Sequence, residues 1–195
     1  IMITSAFVSM KPAAMSQEKK LPNITLEDAD GNKVNIADLG KKGKVIVFSF
    51  WATWCTPCKK ELGNMIEMTK AWKEKGQVEV YAVSIDDSRA KPKIKMYIDG
   101  QQWPYTVLLD VNQEFKRALN FPTVPYTVIL DKNGNIVDTH SGYIEGDEYE
   151  LQDKVAEILG IKPVEVYEVV SFYTMFNQRP IGKYMFEFCH TSPCC

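Results

Sequence analysis

Histidine is scarce, with two in 195 residues, and no second Cys-x-x-Cys or paired histidine stands at zinc-finger spacing from the one pair present. That lack argues against a structural zinc site, which takes four such ligands. Lys and Arg (23) nearly balance Asp and Glu (25), and no basic patch offers a footprint for nucleic acid. No apolar run reaches the roughly 20 residues that a membrane-crossing helix needs. Internal repeats and low-complexity tracts are missing too. What is there, 45% aliphatic and aromatic residues over this length, suits one soluble globular domain plus a remnant.

The chemistry stands in Trp51-Ala52-Thr53-Trp54-Cys55-Thr56-Pro57-Cys58. Before it, Lys44–Phe50 is β-branched and aromatic almost without a break, as in a strand buried on both faces. After it, Leu62, Met65, Ile66 and Trp72 recur at helical spacing as far as Gly76, which predicts one helix. Cys55 is thereby expected at a helix N-terminus, where free N–H groups and the helix dipole favour a thiolate. Two intervening residues let Cys58 reach back and close a disulfide with it. A zinc half-site and an inert disulfide are the competing readings. The first lacks its other ligands, and the second does not normally occupy a strand–helix junction behind two tryptophans.

Phe50–Glu61 resembles the active site of the TlpA/ResA branch of thioredoxin-like thiol–disulfide oxidoreductases. The resemblance spans residues 21–160. It includes an N-terminal hairpin (24–26 and 34–36 around Asp30-Gly31-Asn32) and the later Pro-Thr-Val-Pro-Tyr-Thr-Val-Ile-Leu-Asp at 122–131. It implies an α/β thioredoxin-like fold: an N-terminal β-hairpin, a TlpA-type βα insertion, and a central mixed sheet flanked by helices. Within that frame we expect a strand over 78–85, a helix over 88–98 with Pro92 in its first turn, and an inserted strand (103–110) and helix (111–119). A hairpin over 126–139 turns at Asp131–Gly134, and a helix capped by Asp147 carries Leu151, Val155, Ile158 and Leu159.

Activity follows from the same resemblance. Such proteins are usually exported and reduce disulfides of other proteins, often those of apocytochrome c, with electrons from an upstream membrane donor. The implied enzyme is a monomer with no cofactor beyond a redox-active Cys55–Cys58 disulfide, binds no nucleic acid and holds no metal. Cys55, the more exposed thiol, attacks; the more buried Cys58 resolves the mixed disulfide. Something must take the Cys58 proton. Ser49 stands where many thioredoxins bury an Asp, and Glu61, one turn past Cys58, resembles the family's functional glutamate, which implies that role for it; the alternative is a solvated helix residue. Val124-Pro125 is expected as a cis-proline pair facing the thiols, against a trans proline that merely starts an edge strand. Trp54, Thr56, Pro57, Val124 and Pro125 would contact substrate. His140 reads as a surface residue.

The two ends differ from this body. Residues 1–20 run from apolar (Ile1–Val8) through small (Pro12–Ser16) to polar (Gln17–Lys20), like the later part of a secretory signal without its start, or a disordered tail. Residues 161–195 resemble a truncated piece of the thioredoxin-like iron–sulfur subunit of respiratory NADH:quinone oxidoreductase, with similarity beginning as early as Val155. There Cys189 and Cys194 would match the first two ligands of a [2Fe–2S] cluster, and Cys195 and His190 crowd beside them. The segment is read as an appended fragment, with a fused interaction helix as its rival. Two further functions therefore stand beside the oxidoreductase: an electron-transfer iron–sulfur fragment, and a non-catalytic thioredoxin-like binding module.

Overall fold

The N-terminal hairpin forms as expected. Strands β1 (Thr25–Asp28) and β2 (Lys33–Asn35) pair antiparallel, and the Asp28 carboxylate closes the turn by accepting the N–H groups of Asp30 and Asn32. Asn35 then caps α1 (Ile36–Leu39), accepting the Ala37 N–H at 2.9 Å. The apolar run becomes β3 (Val45–Trp51), with all seven residues buried. Helices α2 (Thr56–Asn64) and α3 (Ile66–Lys75) follow, then β4 (Val78–Ser84) and a 3-10 turn at Ser88–Ala90. The remainder is α4 (Lys91–Gln101), β5 (Thr106–Leu109), α5 (Glu114–Leu119), β6 (Tyr126–Leu130), β7 (Ile136–Ser141) and α6 (Asp147–Leu159). These elements come from a computed structural model that describes residues 20–161. The signal-like segment up to residue 19 and the appended segment from 162, with Cys189, His190, Cys194 and Cys195, lie outside the described residues.

The sheet has seven strands in the order β2-β1-β5-β4-β3-β6-β7. Strands β3, β4 and β5 run parallel, while β6 returns antiparallel to β3 and β7 antiparallel to β6. β5 also pairs antiparallel with β1, so the insertion is what attaches the N-terminal hairpin to the sheet. Along β3 successive side chains alternate between faces. Phe48 and Phe50 pack on Phe115, at 5.2 and 5.1 Å between rings, whereas Trp51 packs edge-on against Trp103 at 4.8 Å on the opposite face. Both faces of the strand that leads to the thiols are therefore covered, as its uninterrupted apolar pattern requires.

The helix expected over 88–98 is the 3-10 turn followed by α4, which runs on to Gln101, and the helix expected over 111–119 begins at Glu114. Three further elements depart from expectation. The stretch to Gly76 is two helices, broken at Met65. Tyr105 explains the break: its hydroxyl donates to the Leu62 carbonyl and occupies an acceptor of the helical ladder. Asp147 is the first residue of α6, and its cap is Gly146 (φ 112°); the Asp147 carboxylate accepts the Ile144 N–H instead. The strand expected over 103–110 shortens to Thr106–Leu109, because Pro104 has no N–H for the ladder and Trp103 and Tyr105 turn into the core. At the β6–β7 turn, Gly134 (φ 79°) lies so near α1 that a Cβ there would sit 2.5 Å from the Gly40 carbonyl oxygen.

Candidate active site

The carboxyl end of β3 delivers the motif into a short turn, in which the Cys55 N–H donates to the Ala52 carbonyl at 3.0 Å. Cys55 is the N-cap of α2, and its Sγ accepts the Cys58 N–H at 3.3 Å. Pro57 stands in the first helical turn, where a missing N–H costs nothing. Cys55 and Cys58 are joined as a disulfide. Both residues are buried, at 5% and 0% exposure. Exposure thus separates the two thiols less than the sequence suggested, and what distinguishes Cys55 is its place at the helix terminus.

A residue that sequence reasoning missed holds this turn in place. The buried Asp86 carboxylate, just past β4, accepts the Thr53 N–H at 2.8 Å, the Thr53 hydroxyl at 3.0 Å and the Ser84 hydroxyl at 2.9 Å. Lys59 adds a bond to the Thr53 carbonyl at 3.1 Å. The available signal was position: an aspartate directly after a central parallel strand lies at the same sheet end as the loop after its neighbour.

Glu61, one helical turn beyond Cys58, is not the solvated helix residue of the alternative reading. It is 5% exposed, its Oε1 accepts the Thr127 hydroxyl at 2.8 Å, and its Oε2 has no partner. Burial, with Asp147 and Glu148 adding to it, pushes its pKa up to about 7. Ser49 pairs with Thr127 across β3 and β6, and its buried hydroxyl has no partner either. Glu61 is thus a buried carboxylate, one helical turn along α2 from Cys58, held by the cross-strand partner of Ser49.

The other expected residues gather at the same sheet end. The Val124–Pro125 peptide is cis, and both residues are buried. Because Tyr126 pairs with Phe50 in β3, Pro125 enters β6 level with the start of the Cys55 loop. The Pro125 carbonyl accepts the Gly142 N–H at 2.9 Å. Trp54, 65% exposed, with exposed Thr56 and Pro57, forms a rim around the buried disulfide, while Trp51 is core. His140 is not a plain surface residue, since its ring meets the Asp147 carboxylate at 3.2 Å and lines a cavity shared with Glu61.

This arrangement has relatives. The AhpC/TSA family model matches residues 18–139, more than half of the chain. The chain belongs to the AhpC/TSA family. Among its relatives, the thiol-disulfide oxidoreductase ResA of Bacillus subtilis is 33% identical over 129 residues, covering 66% of this chain and 69% of that protein. An uncharacterised thioredoxin-like protein from Porphyromonas gingivalis is 42% identical, with a TM-score of 0.64 over 72% of this chain and 92% of that one. A candidate thiol:disulfide interchange protein DsbE from Chlorobium tepidum is 26% identical, with a TM-score of 0.65 over 73% and 97%. This AhpC/TSA member therefore has the thioredoxin-like fold and is a homologue of thiol–disulfide oxidoreductases that carries a joined Cys55–Cys58 pair. A second match, to the thioredoxin-like [2Fe-2S] ferredoxin family, covers residues 135–195 and so begins in the β6–β7 turn, well before Val155. Among the described residues, no helix is long and apolar enough to cross a membrane.

Proposed function

We propose that this protein reduces disulfides in exported proteins, apocytochrome c being the leading class, and that an upstream membrane donor re-reduces it. The observation that carries this reading is a dithiol seated at a helix N-terminus with a buried carboxylate one turn behind it. The Cys55 thiolate attacks one sulfur of a substrate disulfide; that S–S bond breaks, and the other substrate sulfur leaves as a thiolate. Cys58 then gives its proton to Glu61, directly or through one water, and attacks the Cys55 sulfur. The Cys55–Cys58 disulfide forms, the second substrate thiolate leaves, and two electrons have passed to the substrate. Trp54, Thr56 and Pro57 would hold the substrate from one side, and Val124 with Pro125 from the other. The enzyme would act outside the cytoplasm, as a monomer.

An insulin-reduction assay tests the reading: the pre-reduced protein should cleave the insulin disulfides, and Cys55→Ala should not. Equal rates for the two would overturn it. One observation favours a second reading, the iron–sulfur family match over 135–195. A [2Fe–2S] cluster takes four protein ligands. Beyond the disulfide pair the chain offers Cys189, Cys194 and Cys195, so His190 would have to complete the set. Among the described residues, no group of three or more His, Cys, Asp and Glu is placed to hold a metal ion. Iron and sulfide analysis of the full chain, with its visible spectrum, separates the two readings.

A further inference from the structure

We propose that His140, braced by Asp147, is the group through which buried Glu61 exchanges its proton with solvent, by way of a small cavity that all three line. The proposal rests on the reading of Glu61 as proton acceptor for Cys58.

Glu61 has little access of its own to bulk solvent. One oxygen is on Thr127 and the other is unpartnered in the interior. Thr127 is also the direct cross-strand partner of His140 in the β6–β7 ladder. Directly opposed residues project from the same face with Cβ atoms about 5 Å apart. The His140 ring is thus brought beside the hydroxyl that holds Glu61. Glu61, Thr127, His140 and Asp147 line one cavity of about 20 Å³, room for a single water. The His140 side chain is 38% exposed, so it reaches both this cavity and the solvent.

The other charged groups at the cavity have partners of their own. Asp138 and Glu150 hold Lys154 at 2.9 and 3.1 Å, and Glu148 accepts the Tyr143 hydroxyl and the Gly146 N–H. Asp147 accepts the Ile144 N–H with the same oxygen that faces His140 Nε2, so it remains an acceptor and keeps a proton on Nε2. Nδ1 is then the basic nitrogen and the one that can take up a proton.

The relay answers a need that the site creates. Near neutral pH many molecules carry Glu61 protonated, and a protonated Glu61 cannot take the Cys58 proton. In the relay, Glu61 gives its proton to the cavity water, the water gives one to His140 Nδ1, and the imidazolium releases that Nδ1 proton to solvent, so Nε2 keeps its bond to Asp147. No electrons move, and Glu61 is returned as a carboxylate. His140 acts through Glu61 and never touches the thiols.

The test uses the full chain in insulin reduction, with thermal melts alongside. His140→Ala should slow turnover at pH 6.5 by about 10-fold, below the range of a group in direct contact with the reacting atoms. Added imidazole should restore the rate. His140→Gln, which can still donate to Asp147 but cannot take up and release a proton, should be as slow as His140→Ala. In a Glu61→Gln background, removing His140 should have no further effect. Unchanged turnover in both His140 variants, or slowing that imidazole does not relieve, would overturn the relay while leaving Glu61 as acceptor. If Glu61→Gln itself turns over at the normal rate, the acceptor reading fails and the relay with it.

Discussion

A carboxylate sealed between Thr127 and an unpartnered pocket bears a cost that pH can reveal. Glu61 has a pKa raised by burial from 4.5 to about 7. Its neutral form is the one the fold favours, so this contribution to stability is whole below pH 4.5 and is lost as pH rises through about 7. A shift of that size corresponds to about 3 kcal/mol at most. Glu61→Gln should therefore melt increasingly above the parent as pH goes from 5 to 8; parallel melting curves would refute the burial. The same substitution should slow disulfide reduction by about 10–100-fold near pH 7, at or below the low end of general-base contributions. That deficit should shrink at higher pH, as Cys58 ionises unaided. A pH–rate profile for parent and variant checks both points. A place one turn from Cys58, together with the family resemblance, pointed to Glu61. Its burial was not legible, because the group that holds it, Thr127, is 66 residues away in sequence.

At the scale of elements, the β6–β7 hairpin positions both Thr127 and His140, and its turn is locked by contact with α1. Asp131 accepts the N–H groups of Asn133 and Asn135, and Gly134 sits at φ 79° against the Gly40 backbone. Gly134→Ala meets both a left-handed conformation and a backbone atom 2.5 Å away, so it should cost more than the 1–3 kcal/mol of strain alone, roughly 2–4 kcal/mol. Urea unfolding measures this, and a loss under 0.5 kcal/mol would show that the turn yields. Sequence pattern located nearly every element here, since β3, β4 and the two hairpins carry strong periodicity or turn residues. At two of the places where it failed, a distant group had intervened. Tyr105 breaks α2 from α3 by taking the Leu62 carbonyl, and Asp86 grips the Thr53 turn from the end of β4. Neither contact leaves a local signature, because each joins side chain to backbone across the sheet.

At the scale of the whole molecule, the seven-stranded sheet and α6 are complete within residues 20–161. A chain ending after Ile161 should unfold in one cooperative transition and retain insulin reduction. Loss of either would mean that the iron–sulfur-like segment belongs to the working protein. The central claim is an ordered exchange, in which Cys55 attacks and Cys58 resolves, and one measurement tests it most directly. In the full chain with Cys189, Cys194 and Cys195 replaced by Ser, Cys58→Ala and Cys55→Ala are each mixed with a disulfide-bonded protein substrate. The covalent adducts are then quantified by non-reducing mass spectrometry. The account predicts a stable mixed disulfide through Cys55 in Cys58→Ala and almost none in Cys55→Ala. Equal adduct in the two, or adduct through Cys58 alone, would contradict it.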